Sequence, residues 1–247
     1  MPFLSFSEVS YTTVLDKVSF SIDRGETLVL LGRSGSGKST TLRLINRLLT
    51  PTGGVIHLNG EDIAGLDPIA LRRKTGYVIQ ELGLLPHWTV EQNVALVPRL
   101  LGWPEEKQRA RARELLAQVG LEGDDFAQRK PHQLSGGQRQ RVAVARALAA
   151  EPDLLLFDEP FGALDPVTRH EMQQQLLALS KRYHVAIVFV THDVTEALIL
   201  GTQIAVLGDG KLECVVSPQE FVQVKTPVAR AFLDTLPPAA LLRGAAL

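Results

Sequence analysis

The 247 residues, 45% of them apolar and 21% charged, suffice for one large α/β domain or for a core with a smaller unit attached. That balance excludes a staple-dependent mini-protein, a collagen-like repeat and a disordered chain. The 26 basic and 27 acidic residues leave a net charge of -1, which argues against a dedicated nucleic-acid binder. A single cysteine, Cys214, excludes an internal disulfide and points to a reducing compartment. The N-terminus shows no basic segment followed by an apolar run, so a cytosolic location is expected. The most apolar stretches are far shorter than the roughly 18 residues that a membrane helix needs.

In chain order, Val18, Phe20 and Ile22 alternate with Lys17, Ser19 and Ser21, and Thr27 to Leu31 run continuously apolar. These patterns predict edge strands followed by one buried strand. It leads into Gly32-Arg33-Ser34-Gly35-Ser36-Gly37-Lys38-Ser39, after which Leu42, Leu44, Ile45 and Leu48 take up helical spacing. Strands are also predicted at Val55 to Leu58 and Thr75 to Ile79. Between Gln80 and Pro152 the character is helical: Thr89 to Leu101 opens with the capping pair Thr89 and Gln92, and Pro104 to Val119 stops at Gly120. The basic residues from Lys107 to Arg113 scatter around that second helix and read as a solvated face. After Pro152, strand and helix alternate again: strand Leu154 to Asp158, helix Pro166 to Arg182, strand Val185 to Val190, helix Val194 to Ile199, strand Gln203 to Leu207. Two short helical patterns and an Ala/Pro/Leu-rich tail follow Ser217.

The expected fold is α/β: a phosphate-loop NTPase core with a mostly parallel sheet, an N-terminal antiparallel β part and an inserted α-helical subdomain. Residues 1–79 form the first part of the core, 80–152 the helical subdomain, 153–216 the second part of the core and 217–247 a helical tail.

Gly32 to Ser39 fits G-x-x-x-x-G-K-[ST] at every fixed position. In such a loop the glycines bring backbone N–H groups against phosphate oxygens, Lys38 reaches the β and γ phosphates and Ser39 ligates Mg²⁺. The strand Leu154 to Phe157 ends in Asp158 and Glu159, suited respectively to holding Mg²⁺ and to orienting and deprotonating an attacking water. Leu134-Ser135-Gly136-Gly137-Gln138 opens a further helix, with Ser135 and Gln138 spaced as a capping box and two glycines exposing N–H groups between them.

With these motifs in this order, the chain resembles the ATPase subunit of an ABC transporter, over at least Val9 to Gly210, with Leu134 to Gln138 as the family's signature sequence. The resemblance implies ATP and Mg²⁺ as cofactors and a head-to-tail homodimer in which Ser135, Gly136, Gly137 and Gln138 of one subunit close over the nucleotide held by Gly32 to Thr40 of the other. Gln80 matches the glutamine that touches Mg²⁺ and the lytic water, and Asp165, also an N-cap before Pro166, matches an acid at the subunit contact. His192 matches the γ-phosphate-sensing histidine, and Tyr11 the aromatic that stacks on adenine.

Residues 81–103 are similar to those of importers for glycine betaine, choline and related osmoprotectants. By that resemblance this segment grips integral membrane permease subunits, themselves fed by a substrate-binding protein, and the chain lies peripherally on the cytoplasmic side of the inner membrane. The osmoprotectant branch often carries a C-terminal regulatory domain pair, which is not expected here because the sequence ends at Leu247. Another solute, an amino acid or an anion, stays open, as does a non-transport ATPase of the same superfamily.

Overall fold

The computed structural model describes residues 1–80 and 82–236. In chain order the elements are β1 (Leu4–Tyr11), β2 (Leu15–Ile22), β3 (Thr27–Gly32), α1 (Lys38–Ile45), β4 (Gly53–Leu58), β5 (Glu61–Asp62), α2 (Pro68–Arg73) and β6 (Thr75–Val78). Then come α3 (Val90–Val94), α4 (Leu96–Leu100), α5 (Glu105–Gln118), α6 (Asp124–Gln128), α7 (Gly136–Leu148) and β7 (Leu154–Asp158). The chain continues with α8 (Pro166–Tyr183), β8 (Ala186–Thr191), α9 (Val194–Leu200), β9 (Gln203–Gly208), β10 (Lys211–Val216), α10 (Pro218–Phe221) and α11 (Pro227–Leu233). It packs as two compact units, one made of Met1–Pro68 with the described residues from Ser180 onward, the other of Ile69–Leu179.

The first unit holds an antiparallel sheet in the order β2-β1-β4-β5 and the strand run β10-β9-β3-β8. Strand β3 pairs in parallel with both β8 and β9, and β10 returns antiparallel to β9. Every residue of β3 and β8 is buried, as continuous apolar runs predict for strands covered on both faces. Each of Leu28, Leu30, Val188 and Phe189 is fully removed from water, worth about 2 kcal/mol apiece by area.

The second unit pairs β6 and β7 in parallel and packs α3, α5 and α7 against one another. Here the sequence reading needs two corrections. The helix expected from Thr89 to Leu101 is two short helices broken at Ala95, because the ring of Pro98 collides with the carbonyl four residues back, at Val94. The solvated face expected of the basic residues of α5 fails at Arg111, which is largely buried against Glu114; Lys107, Arg109 and Arg113 are exposed, the last two converging on the buried Glu91 of α3. A carboxylate removed from water requires cations, and the i, i+4 spacing puts both arginines on one face.

Strand β10 has no counterpart in the sequence reading, yet its signal was present. Asp209 and Gly210 both take positive φ, +46° and +77°, the pattern of a two-residue hairpin turn. The two helical patterns after Ser217 are α10 and α11, and the Ala/Pro/Leu-rich end falls outside the described residues.

Candidate functional site

In the first unit, Leu31 of β3 lies beside Thr191 of β8 in parallel register, so the chain leaves both strands at the same end, where open α/β sheets bind ligands. Gly32 to Ser39 follows the first strand and His192 the second. Two features prepare the loop for an anion. Gly37, the N-cap of α1, supplies no side-chain cap at a helix start of the kind that binds anions. Its φ of +101° is a conformation that residues with a Cβ resist.

Lys38 is only 4% exposed, and its ammonium donates to the carbonyls of Gly32 (2.8 Å) and Arg33 (2.9 Å). The loop thus closes on its own lysine. Gly35, at φ +82°, has open space where a side chain would stand, whereas a Cβ on Gly37 would come within 2.4 Å of Leu15. The β1–β2 hairpin that carries the half-buried Tyr11 therefore presses directly on the loop. On the loop's far side, Arg33 to Ser36 face Leu207 to Asp209 and Pro227 to Val228 across a cleft of about 330 Å³.

The neighbourhood of His192 is held from beneath. The Thr191 hydroxyl donates to the buried Glu196 carboxylate at 2.6 Å and accepts from the Asp193 N–H at 2.9 Å. Asp193 in turn caps α9 through the N–H groups of Thr195 and Glu196. His192 itself is exposed.

The second unit repeats the strand-end device. Val78 of β6 lies beside Phe157 of β7, so Gln80 and the pair Asp158 and Glu159 leave the sheet at one end. Asp158 is 8% exposed, with the Tyr77 hydroxyl 3.5 Å from its Oδ2. Glu159 adopts φ +45°, sparsely populated for a residue with a side chain, which marks it as held in place by its surroundings. Asp165 caps α8 by accepting from the N–H groups of Val167 and Thr168 at 3.1 Å each. Hydrogen bonding from the Thr168 hydroxyl, then from that backbone, holds its carboxyl below the usual carboxylate range.

Helix α7 begins with the expected capping box. The Gln138 N–H donates to Ser135 Oγ (3.2 Å), and the Ser135 N–H donates to Gln138 Oε1 (3.0 Å). The paired glycines differ. A Cβ on Gly136 would meet nothing, while one on Gly137 would stand 2.6 Å from the Thr168 methyl at the start of α8. Sequence reasoning gave both glycines one role; the structure separates an open position from a packing position.

Three side chains escaped the sequence reading. Fully buried Asn93 donates to the carbonyls of Leu85 (3.1 Å) and Thr89 (3.0 Å) and accepts from the Leu85 N–H (2.7 Å). Arg146 donates to the carbonyls of Leu82 and Gly83. Glu91, under Arg109 and Arg113, forms part of a polar cleft of about 460 Å³ that also includes Trp88, Arg99 and Glu105. The Arg99 guanidinium stands 5.3 Å from the Trp88 ring centre, and the Lys107 ammonium 3.8 Å from that of Trp103. Arg146 and Glu91 carry no local sequence pattern, since each bonds backbone or charge on another segment, whereas Asn93 bonds back to Thr89 and Leu85 within its own stretch.

The family profile described as ABC transporter matches residues 15–162. The choline transport ATP-binding protein OpuBA of Bacillus subtilis (strain 168) is 50% identical over 209 residues, 85% of this chain and 55% of its own length. The osmoprotectant import ATP-binding protein OsmV of Salmonella typhimurium is 47% identical over 208 residues, 84% of this chain and 54% of its own. The chain thus spans about half the length of the curated relatives it matches. Among solved structures, a dimeric post-hydrolysis state of the ATP-binding cassette MJ0796 bound to ADP and Pi superposes with a TM-score of 0.77 at 37% identity, over 87% of this chain and 98% of that one.

Proposed function

Because the chain belongs to the ABC transporter family, we propose that it is the ATP-hydrolysing subunit of an importer for a quaternary-amine osmoprotectant such as glycine betaine or choline. The observation that carries the hydrolytic part is the uncapped start of α1 beneath a loop closed on Lys38. N–H groups and a buried ammonium gathered at one point suit a polyphosphate, and the affinity needs no basic surface, in keeping with the near-neutral chain.

In this reading, Gly32 to Thr40 cradle the triphosphate and Tyr11 stacks on the adenine. Ser39, Gln80 and Asp158 would offer a magnesium ion hydroxyl, amide and carboxylate oxygens, a hard donor set suited to it. That ion, when bound, supplies charge neutralisation on the phosphates. Glu159 orients the attacking water and accepts its proton, while His192 and Lys38 stabilise charge on the γ-phosphate. Ser135, Gly136, Gly137 and Gln138, with Asp165 beside them, act on the nucleotide of a second copy in a head-to-tail homodimer. The solved cassette noted above is itself dimeric and holds ADP and Pi.

The solute class rests on the relatives, whose names speak of choline and osmoprotectant transport. The polar cleft around Glu91 and the cation-covered tryptophans lie in the segment that would grip permease subunits, which a substrate-binding protein would supply. No helix among the described residues is long and apolar enough to cross a membrane, so attachment to the cytoplasmic face of the inner membrane would run through those subunits.

The test is steady-state phosphate release from Mg·ATP. The wild-type chain hydrolyses ATP, and Glu159→Gln binds ATP with unchanged affinity but loses at least about 10²-fold in turnover, the scale of a general-base contribution. Near wild-type turnover by that variant would remove Glu159 from its role.

A further inference from the structure

From Leu82 to Thr89 the chain runs without helix or strand, so its backbone groups need partners from elsewhere. Asn93 serves the lower half at Leu85 and Thr89. The upper half, just after Gln80, is served by one side chain from α7. Arg146 Nη1 donates to the Gly83 carbonyl at 2.7 Å, and Nη2 donates to the Leu82 carbonyl, across 63 and 64 residues of sequence. Leu82 and Gly83 both sit at positive φ, +54° and +53°, and the Leu82 N–H closes a turn over Gln80 by donating to the Ile79 carbonyl at 2.9 Å.

We propose that Arg146 is a positioning residue for Gln80, fixing the left-handed turn that follows the glutamine to the same helix whose first turn carries Ser135, Gly136 and Gly137. Ten residues of α7, about 15 Å at 1.5 Å per residue, separate Gly136 from Arg146. One rigid helix therefore presents the signature end at its N-terminus and grips the Gln80 turn near its C-terminus. A planar guanidinium bridges two adjacent carbonyls at once, which a single ammonium does not. Burial pushes the Arg146 guanidinium below its usual pKa, and these carbonyls are the partners that offset its desolvation. The inference rests on the reading of Gln80 as the residue that meets the magnesium ion and the lytic water.

The test compares the 247-residue chain carrying Arg146→Ala or Arg146→Lys, alone and combined with Gln80→Ala. In amide hydrogen exchange without nucleotide, Arg146→Ala speeds exchange in residues 82–89 by at least about tenfold and leaves the first turn of α1 unchanged. In phosphate release it lowers kcat by about tenfold or more while the ATP KM stays within about threefold, the pattern of a misplaced group rather than lost binding. Arg146→Lys recovers part of the kcat. On the Gln80→Ala background either Arg146 substitution removes less than about twofold more, because the residue being positioned is gone.

Unchanged exchange at 82–89, or a kcat loss that multiplies fully with that of Gln80→Ala, overturns the proposal. Should Arg146→Ala not fold, Arg146→Lys with and without Gln80→Ala gives the same decision. A wild-type chain that releases no phosphate overturns the hydrolase reading itself, a result distinct from wild-type turnover that Arg146 does not influence.

Discussion

The two compact units reach the same kind of strand end by opposite means. In the first, the phosphate loop is shaped by backbone: Gly37 at φ +101° opens α1 with no side-chain cap, and the lysine rests on loop carbonyls only five and six residues away. In the second, α7 opens with Ser135 and Gln138 occupying its own cap, and the loop after Gln80 is held by Asn93 and Arg146. A helix start stripped of caps is prepared for an external anion, whereas one already capped contributes chiefly position and surface. The contrast teaches that the first unit depends on glycines and the second on buried polar side chains.

Substitutions distinguish the two units. The largest stability effect is expected from Asn93→Ala, which takes the acceptor from the Leu85 N–H, empties a fully buried position and costs about 3 kcal/mol. Urea unfolding measures it, and a loss under about 1 kcal/mol would mean that the second unit does not lean on its buried side chains. Next, Gly37→Ala forces a side chain into a left-handed conformation against Leu15, at about 2 kcal/mol of stability and on the order of tenfold or more in ATP affinity, read by calorimetry.

Gly136→Ala, with open space around its Cβ and no positive φ, changes stability by no more than about 0.5 kcal/mol. A loss there as large as at Gly37 would erase the distinction between the units. The smallest effect is a pH dependence. The Asp165 carboxyl is held below its usual range in the folded chain, so its contribution is present above that range and is lost as pH falls through the folded value. The melting-temperature gap between wild type and Asp165→Ala is therefore widest near neutrality and closes as the pH drops well below about 4.

The same contrast decides what the sequence made legible. Strand β3, its loop and α1 are contiguous, and each signals itself by a buried run, fixed glycines and helical spacing. The strand ending in Asp158 and both capping boxes are equally local. The break at Pro98 and the Asp209-Gly210 hairpin carried local signals that a reading by periodicity passes over. Arg146 on Leu82 and Gly83, Arg113 on Glu91, and Thr168 against Gly137 carried none, because each pairs segments brought together only by the packing of helices.

In the proposed homodimer, the signature end of one copy completes the nucleotide site on the phosphate loop of another. Sedimentation of the Glu159→Gln chain, with and without saturating Mg·ATP, tests it most directly. Monomers are expected without nucleotide, dimers with it, and monomers again when Ser135→Arg is added to block the signature end. A Glu159→Gln chain that binds ATP tightly yet stays monomeric would contradict it.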